Sequence, residues 1–171
     1  GLWDEMYGMT GDAGTADLPK TEVSWRDAIS FCNALSLREG LTPVYEIAQR
    51  DVPVPTRWRT HSEPALDDWL VAWDHGADGY RLPTDAEWQV ACRAGAPGAR
   101  YGPLDEIAWY ADNSGGTVHP VRSKQPNAWG LFDLLGGVWE WCWDRHHADR
   151  VIDTVDDPAG PQTGRERIVR G

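Results

Sequence analysis

Eleven tryptophans against two phenylalanines set the first limit on how this chain can fold. Each indole brings a large apolar area and one N–H that needs an acceptor when buried. Aliphatic stripes at helix or strand spacing are scarce, so a core resting on indoles has to be irregular. Indoles can line a groove for peptide or sugar, but so many together belong first to a core. The 171 residues suffice for one domain with a real core. Neither an internal repeat nor a low-complexity linker divides them.

Charge narrows the partners. A formal net charge of −11 and a sequence pI near 4.7 argue against nucleic acid, because phosphate binding needs a basic footprint. No apolar run approaches membrane-spanning length, and no basic-then-apolar leader opens the sequence, so no membrane crossing is expected. Cys32, Cys92 and Cys142 are odd in number and have no close pair. That is neither a disulfide framework nor a zinc knuckle. Cys32 and Cys92 sit among apolar neighbours in helical patterns, which predicts buried free thiols and a cytoplasmic, reducing setting.

Two helices are well signalled. In VSWRDAISFCNALS, Ser24 caps the first turn and Asp27 completes a capping-box-like pair. Ala28, Phe31, Cys32 and Leu35 then recur at helical spacing, and Gly40 follows the end. In RLPTDAEWQVACRAG, Thr84 caps, Glu87 reciprocates, Trp88, Ala91 and Cys92 form the stripe, and Gly95 stops it. Elsewhere the chain reads as loop and short strand. Strands are predicted at Val44 to Ile47 and Val118 to Val121, and a short helix at Leu66 to Trp73. Asp144 to Gly164 is polar and rich in turn formers. Such a loop-rich fold needs indole packing, buried polar networks or bound metal to hold it.

One segment has the composition of a cation site. Asp133 and Glu140 lie seven residues apart with Gly136 and Gly137 between them. Glycines let the backbone turn back and aim carbonyl oxygens inward, and a hard cation such as calcium prefers carboxylates plus carbonyls. In an extended stretch, positions 136, 138 and 140 point the same way. From these residues alone the signal is weak, and two surface or salt-bridged acids around a Gly-Gly turn are the commoner reading.

Six segments then line up in order with one known family. They are LPKTEVSWRDAISFCNALS, GYRLPTDAEWQVACRAG, ADNSGG, HPVRSKQPNAWGLFDLLGGVWEWCWD, DPAGP and RIVRG. In these the chain resembles the formylglycine-generating-enzyme (sulfatase-modifying-factor) family from about Leu18 to Gly171, with GLWDEMYG at the front as well. The resemblance is loosest over Thr42 to Ala77. It implies a single α+β domain, loop-rich and C-type-lectin-like, with two main helices and short antiparallel strands. It also implies a structural calcium held by the side chains of Asp133 and Glu140 and the carbonyls of Gly136 and Val138. This sequence departs from the family at Gly137, where an Asn is usual. A second calcium site of some members begins at an Asn matching Asn113. The segment supplying its other ligands is shortened here, so the resemblance leaves that site open.

Known members use copper to oxidise a cysteine of a sulfatase to formylglycine. Their copper-holding cysteines follow an Arg-Gly-Gly-Ser pattern, at the first two residues of which Arg170-Gly171 stand. None of Cys32, Cys92 or Cys142 matches a catalytic position, so copper is expected only with a cysteine segment beyond Gly171, and no catalytic residue is assigned. The opening also looks short beside the family, whose members usually begin with strands ahead of a segment like GLWDEMYG. A related branch makes sulfoxides in ergothioneine biosynthesis with an iron-binding helical domain, and no such bundle is present. His146-His147 is a poor metal pair because adjacent side chains rarely face one ion. His119 reads as a loop residue held by one hydrogen bond. Ser114 lacks the strand-to-helix turn of an activated serine, and neither a P-loop nor a dinucleotide fingerprint occurs. Two classes stay open: the body of an oxidase acting on a cysteine in a protein or peptide, and a non-catalytic C-type-lectin-like module binding a ligand or peptide. Substrate and oligomeric state are not legible.

Overall fold

Both capping boxes form as the sequence predicts. A computed structural model of the protein describes residues 2–7, 17–49, 69–146, 158–161, 164 and 166–171. Within them the helices are α1 (Leu2–Met6), α2 (Trp25–Arg38), α3 (Asp85–Arg93) and α4 (Leu104–Ile107), and the strands are β1 (Tyr45–Gln49), β2 (Trp69–Trp73), β3 (Glu140–Arg145) and β4 (Arg167–Arg170). Ser24 Oγ accepts from the Asp27 N–H at 3.1 Å, and the Asp27 carboxylate accepts from the Ser24 N–H at 3.2 Å. Thr84 and Glu87 repeat the exchange at 3.2 and 2.8 Å on α3. Each cap satisfies donors that the first helical turn leaves over, worth about 1 kcal/mol. At the far end of α3, Ala94 and Gly95 both turn left-handed, at φ 46° and 83°.

The buried face of α2 is rotated from the predicted stripe. Trp25, Ile29 and Ser36 are buried, while Ala28, Phe31, Cys32 and Leu35 are half-buried. The Trp25 indole decides this, because its N–H donates to the Cys142 carbonyl at 3.0 Å and pulls that face inward. Phe31 turns the other way and stacks on Trp3 of α1 at 4.7 Å. On α3, Trp88 and Cys92 are buried as predicted, Ala91 is half-buried, and Asp85 joins the buried face.

The strand predictions fare unevenly. β1 starts one residue later and ends two residues later than expected, and pairs antiparallel with β2, setting Tyr45 opposite Trp73 and Ile47 opposite Val71. Of the helix expected at Leu66 to Trp73, residues 69–73 are strand instead, and residues 66–68 lie outside the described set. The alternation explains it, with Val71 and Trp73 packed on the core while Leu70 and Ala72 face out. No strand forms at Val118 to Val121. Both valines are exposed, Pro120 lacks a ladder donor, and the Val121 N–H goes instead to the Asp17 carbonyl. β3 pairs antiparallel with β4, Glu140 opposite Arg170 and Trp141 opposite Val169, with an irregularity before Arg145.

The core has two centres. In the first, Trp25, Ile29, Val44 and Tyr45 gather Trp73, Trp141 and Trp143 around them. Trp143 stacks on Tyr45 at 5.2 Å, and Trp73 meets its edge at 5.2 Å. The Trp141 N–H donates to the Val23 carbonyl at 2.8 Å, so these buried indoles have the acceptors they need. The Arg167 guanidinium lies 3.7 Å over Trp25 and donates to the Trp143 carbonyl. In the second, Trp88, Cys92 and Cys142 pack with Tyr101, Leu134, Leu135 and Ile168. All three cysteines are unpaired. Burial pushes the Cys32 thiol up to about 11 and the Cys142 thiol up to about 12.

A buried polar network joins the centres. Asp144 Oδ2 accepts the Asp85 N–H at 2.7 Å, and Arg170 donates to Asp85 Oδ1 at 2.5 Å. It ties the first turn of α3 to both β3 and β4, and those three elements frame the loop that precedes β3.

Candidate metal centre

The loop from Asp133 to Glu140 is shaped by three left-handed residues: Asp133 at φ 60°, Gly136 at 73° and Gly137 at 80°. Gly136 forms an isolated parallel bridge with Trp109, and the Gly137 N–H donates to the Trp109 carbonyl at 2.8 Å. A Cβ on Gly136 would stand 2.0 Å from that carbonyl oxygen, so only glycine fits there. The Val138 N–H reaches back to the Gly136 carbonyl at 3.1 Å, closing a tight turn over Gly137. A carbonyl has two lone pairs, so that bond leaves Gly136 O one acceptor site. Gly137 is exposed, with nothing within 4 Å of where its Cβ would be. Its positive φ explains why glycine can replace an asparagine here, since Asn is among the few other residues that tolerate the left-handed region.

The two carboxylates are held by donors from different parts of the chain. Asp133 Oδ2 accepts the Arg122 N–H at 2.7 Å. Glu140, the first residue of β3, is half-buried, and its Oε2 accepts the Trp88 indole N–H at 2.6 Å. Burial raises the Glu140 pKa, the Trp88 hydrogen bond opposes that rise, and the nearby Asp133 charge adds to it. Among the described residues neither carboxylate forms an ion pair with Lys, Arg or His. A partly desolvated carboxylate beside a second one is costly unless something positive compensates it. Each carboxylate also keeps an oxygen uncommitted by these bonds. Two hard oxygen donors with carbonyls of a tight turn between them fit calcium by their chemistry. Among the described residues no three His, Cys, Asp or Glu side chains gather as a metal cluster, so a cation here draws on carbonyls too.

Asn113 stands in a different network. Its Oδ1 accepts the Tyr110 N–H at 2.8 Å, and its Nδ2 donates to the Ala108 carbonyl at 3.1 Å and to Asp105 Oδ1 at 3.4 Å. These bonds brace the turn following Trp109, and none runs to the Asp133 loop. His119 does keep its one hydrogen bond, between Nε2 and the Ser114 carbonyl at 2.8 Å, and its ring also stacks on Trp109 at 3.7 Å. The Lys124 ammonium lies 3.8 Å from the same indole. Ser114 sits in a turn, its Oγ accepting the Gly116 N–H. The His146 N–H donates to the Glu166 carbonyl, and His147 lies outside the described residues. Sequence reasoning missed Trp88, Trp109 and Arg122 as supports of the loop. Only Trp88 had a signal, as a buried position of a predicted helix, and that signal said nothing of its indole nitrogen.

Comparison with known proteins agrees with this architecture. A family model described as "Sulfatase-modifying factor enzyme 1-like domain" matches residues 3–171. The chain is 33% identical over 167 residues to the chaperone protein LppX of Paenibacillus barcinonensis, covering 85% of this chain and 57% of that one. It is 37% identical over 115 residues to the formylglycine-generating enzyme of Thermomonospora curvata, covering 54% of this chain and 38% of the enzyme. These matches therefore span only part of either relative's length. Among solved structures, Treponema denticola variable protein 1 superposes with a TM-score of 0.82 at 34% identity, covering 99% of this chain and 68% of that one. CarF superposes with a TM-score of 0.57 at 31% identity, over 86% and 64% of the two chains.

Proposed function

This chain belongs to the sulfatase-modifying factor enzyme 1-like family, and from that premise we propose that it is the calcium-stapled body of a copper-dependent oxidase acting on a cysteine in a protein or peptide. The observation that carries the calcium part is the Asp133–Glu140 pair. Glu140 is partly buried, has no cationic partner among the described residues, and shares a loop with the carbonyls of Gly136 and Val138. Asp133 and Glu140 would hold the ion with those two carbonyls. The ion would supply the missing positive charge and fasten the loop to the start of β3. Asn113 would serve a second site only by giving up part of the hydrogen bonding that braces its own turn.

The oxidase part rests on the formylglycine-generating relatives. Copper would supply the oxidation chemistry, and its thiol ligands would lie beyond Gly171. Cys32, Cys92 and Cys142 do not suit that role, because burial holds each thiol above its ordinary range, which disfavours the thiolate a metal needs. What these residues do is pack the two core centres, with a reducing cytoplasmic setting keeping them as thiols. The test is cysteine-dependent oxygen uptake by the full native chain with added copper and a cysteine-containing peptide. Turnover supports the oxidase; a native chain without paired cysteines after Gly171 contradicts it.

A second reading has its own support. The relative named as a chaperone covers more of this chain than the oxidase relative does, 85% against 54%. A non-catalytic module that binds a protein or peptide would keep the same fold and the same calcium staple. Peptide binding without oxygen uptake would favour it.

A further inference from the structure

The residue that makes Glu140 usable is on another element. Trp88 lies on α3, 52 residues before Glu140 in the chain, yet its indole N–H is the hydrogen bond that the Glu140 side chain receives. We propose that Trp88 is the positioning residue of the cation site: it holds Oε2 of Glu140 and leaves Oε1 to face the ion. This rests on the reading of the Asp133–Glu140 loop as a cation site.

Three features suit Trp88 to the task. An indole is a donor only, so it orients the carboxylate without competing for the ion. Its bond to an ionised carboxylate is charge-assisted, stronger than a neutral one, and the 2.6 Å separation is short. The ring itself cannot swing, because it is 7% exposed and packed with Cys92 and Cys142. The helix that carries it is pinned at both ends. Asp85 is tied to Asp144 and Arg170 at the first turn. At the last turn the Asn127 amide donates to the carbonyls of Ala91 and Cys92 at 2.7 and 3.2 Å. A glutamate otherwise loses rotamer freedom when it binds an ion, and here much of that freedom is already gone. Groups that orient metal ligands in this way are typically worth 10- to 100-fold in affinity.

The test is calorimetric titration of calcium into the wild type and Trp88→Phe, which keeps an aromatic ring and loses the donor. The expected result is a Kd weaker by about 10-fold or more in the variant. A packing role alone would lower the chelated protein's unfolding midpoint and leave the Kd of the folded protein unchanged, and that result overturns the proposal. Should Trp88→Phe not fold, nitrogen-15 spectra of the wild type decide. The Trp88 indole N–H resonance should shift with calcium and saturate together with the Gly137 and Val138 amides. An indole resonance that stays fixed while those amides move overturns the proposal. If the wild type gives no binding heat and no amide shift, the cation reading itself fails and takes this inference with it. Binding with an equal Kd in Trp88→Phe defeats the inference alone.

Discussion

Arg170 Nε donates to Asp85 Oδ1 at 2.5 Å, linking β4 to the first turn of α3 across 85 residues of sequence. Asp85 is buried, and the Arg170 side chain is 31% exposed. Arg170→Met therefore removes a charge-assisted donor from a buried carboxylate. The expected cost is about 2 kcal/mol in urea unfolding, below that of a fully buried pair because water reaches the arginine. A change under roughly 0.5 kcal/mol would show the pair to be no more than a surface contact.

The adjacent glycines of the loop should behave oppositely. Gly136→Ala puts a Cβ against the Trp109 carbonyl at a φ of 73°, and a loss of about 3 kcal/mol or more is expected from clash and strain together. Gly137→Asn meets open space at a φ of 80°, so a change within about 1 kcal/mol is expected. Equal losses at the two positions would contradict this account of the turn.

Glu87 supplies a pH-dependent contribution of known sign. The two terminal guanidinium nitrogens of Arg81, Nη1 and Nη2, donate to its carboxylate at 2.6 Å each and hold its pKa below the ordinary value of 4.5. A depressed folded pKa means the contribution is fully present above about pH 4.5 and is lost as pH falls through the lower, folded value. Both side chains are about one-third exposed, so screening limits the pair to about 0.5 kcal/mol. Glu87→Gln retains a capping-box partner for Thr84 and removes the charge. The wild type should exceed the variant in stability by that amount at pH 7, with the difference vanishing as pH falls below the folded-state pKa of Glu87. A gap that persists at low pH would assign the effect to capping instead.

What could be read from the sequence was what is local in it. Ser24 with Asp27 and Thr84 with Glu87 are decided within one helical turn, so both helices were legible together with their starts. The helix expected at Leu66 to Trp73 gives way to strand over Trp69–Trp73, because five apolar residues carry no clear period of their own and the partner strand starts 24 residues earlier, at Tyr45. Asp133, Gly136, Val138 and Glu140 are proposed as a set because composition and family resemblance coincide there. Their supports were not legible. Trp88, Trp109 and Arg122 reach the loop through one indole nitrogen, one carbonyl and one amide, and only the fold brings those atoms near.

Thermal unfolding in calcium and in a chelator tests whether the Asp133–Glu140 loop binds calcium. A site present only in the folded state adds about 2.7 kcal/mol at a hundredfold excess of calcium over Kd. For a chain of this size that is a rise of roughly 5–10 °C in midpoint. The rise should appear in the wild type and be absent in Glu140→Gln. A wild type that melts at the same temperature in calcium and in chelator would contradict calcium binding at this loop.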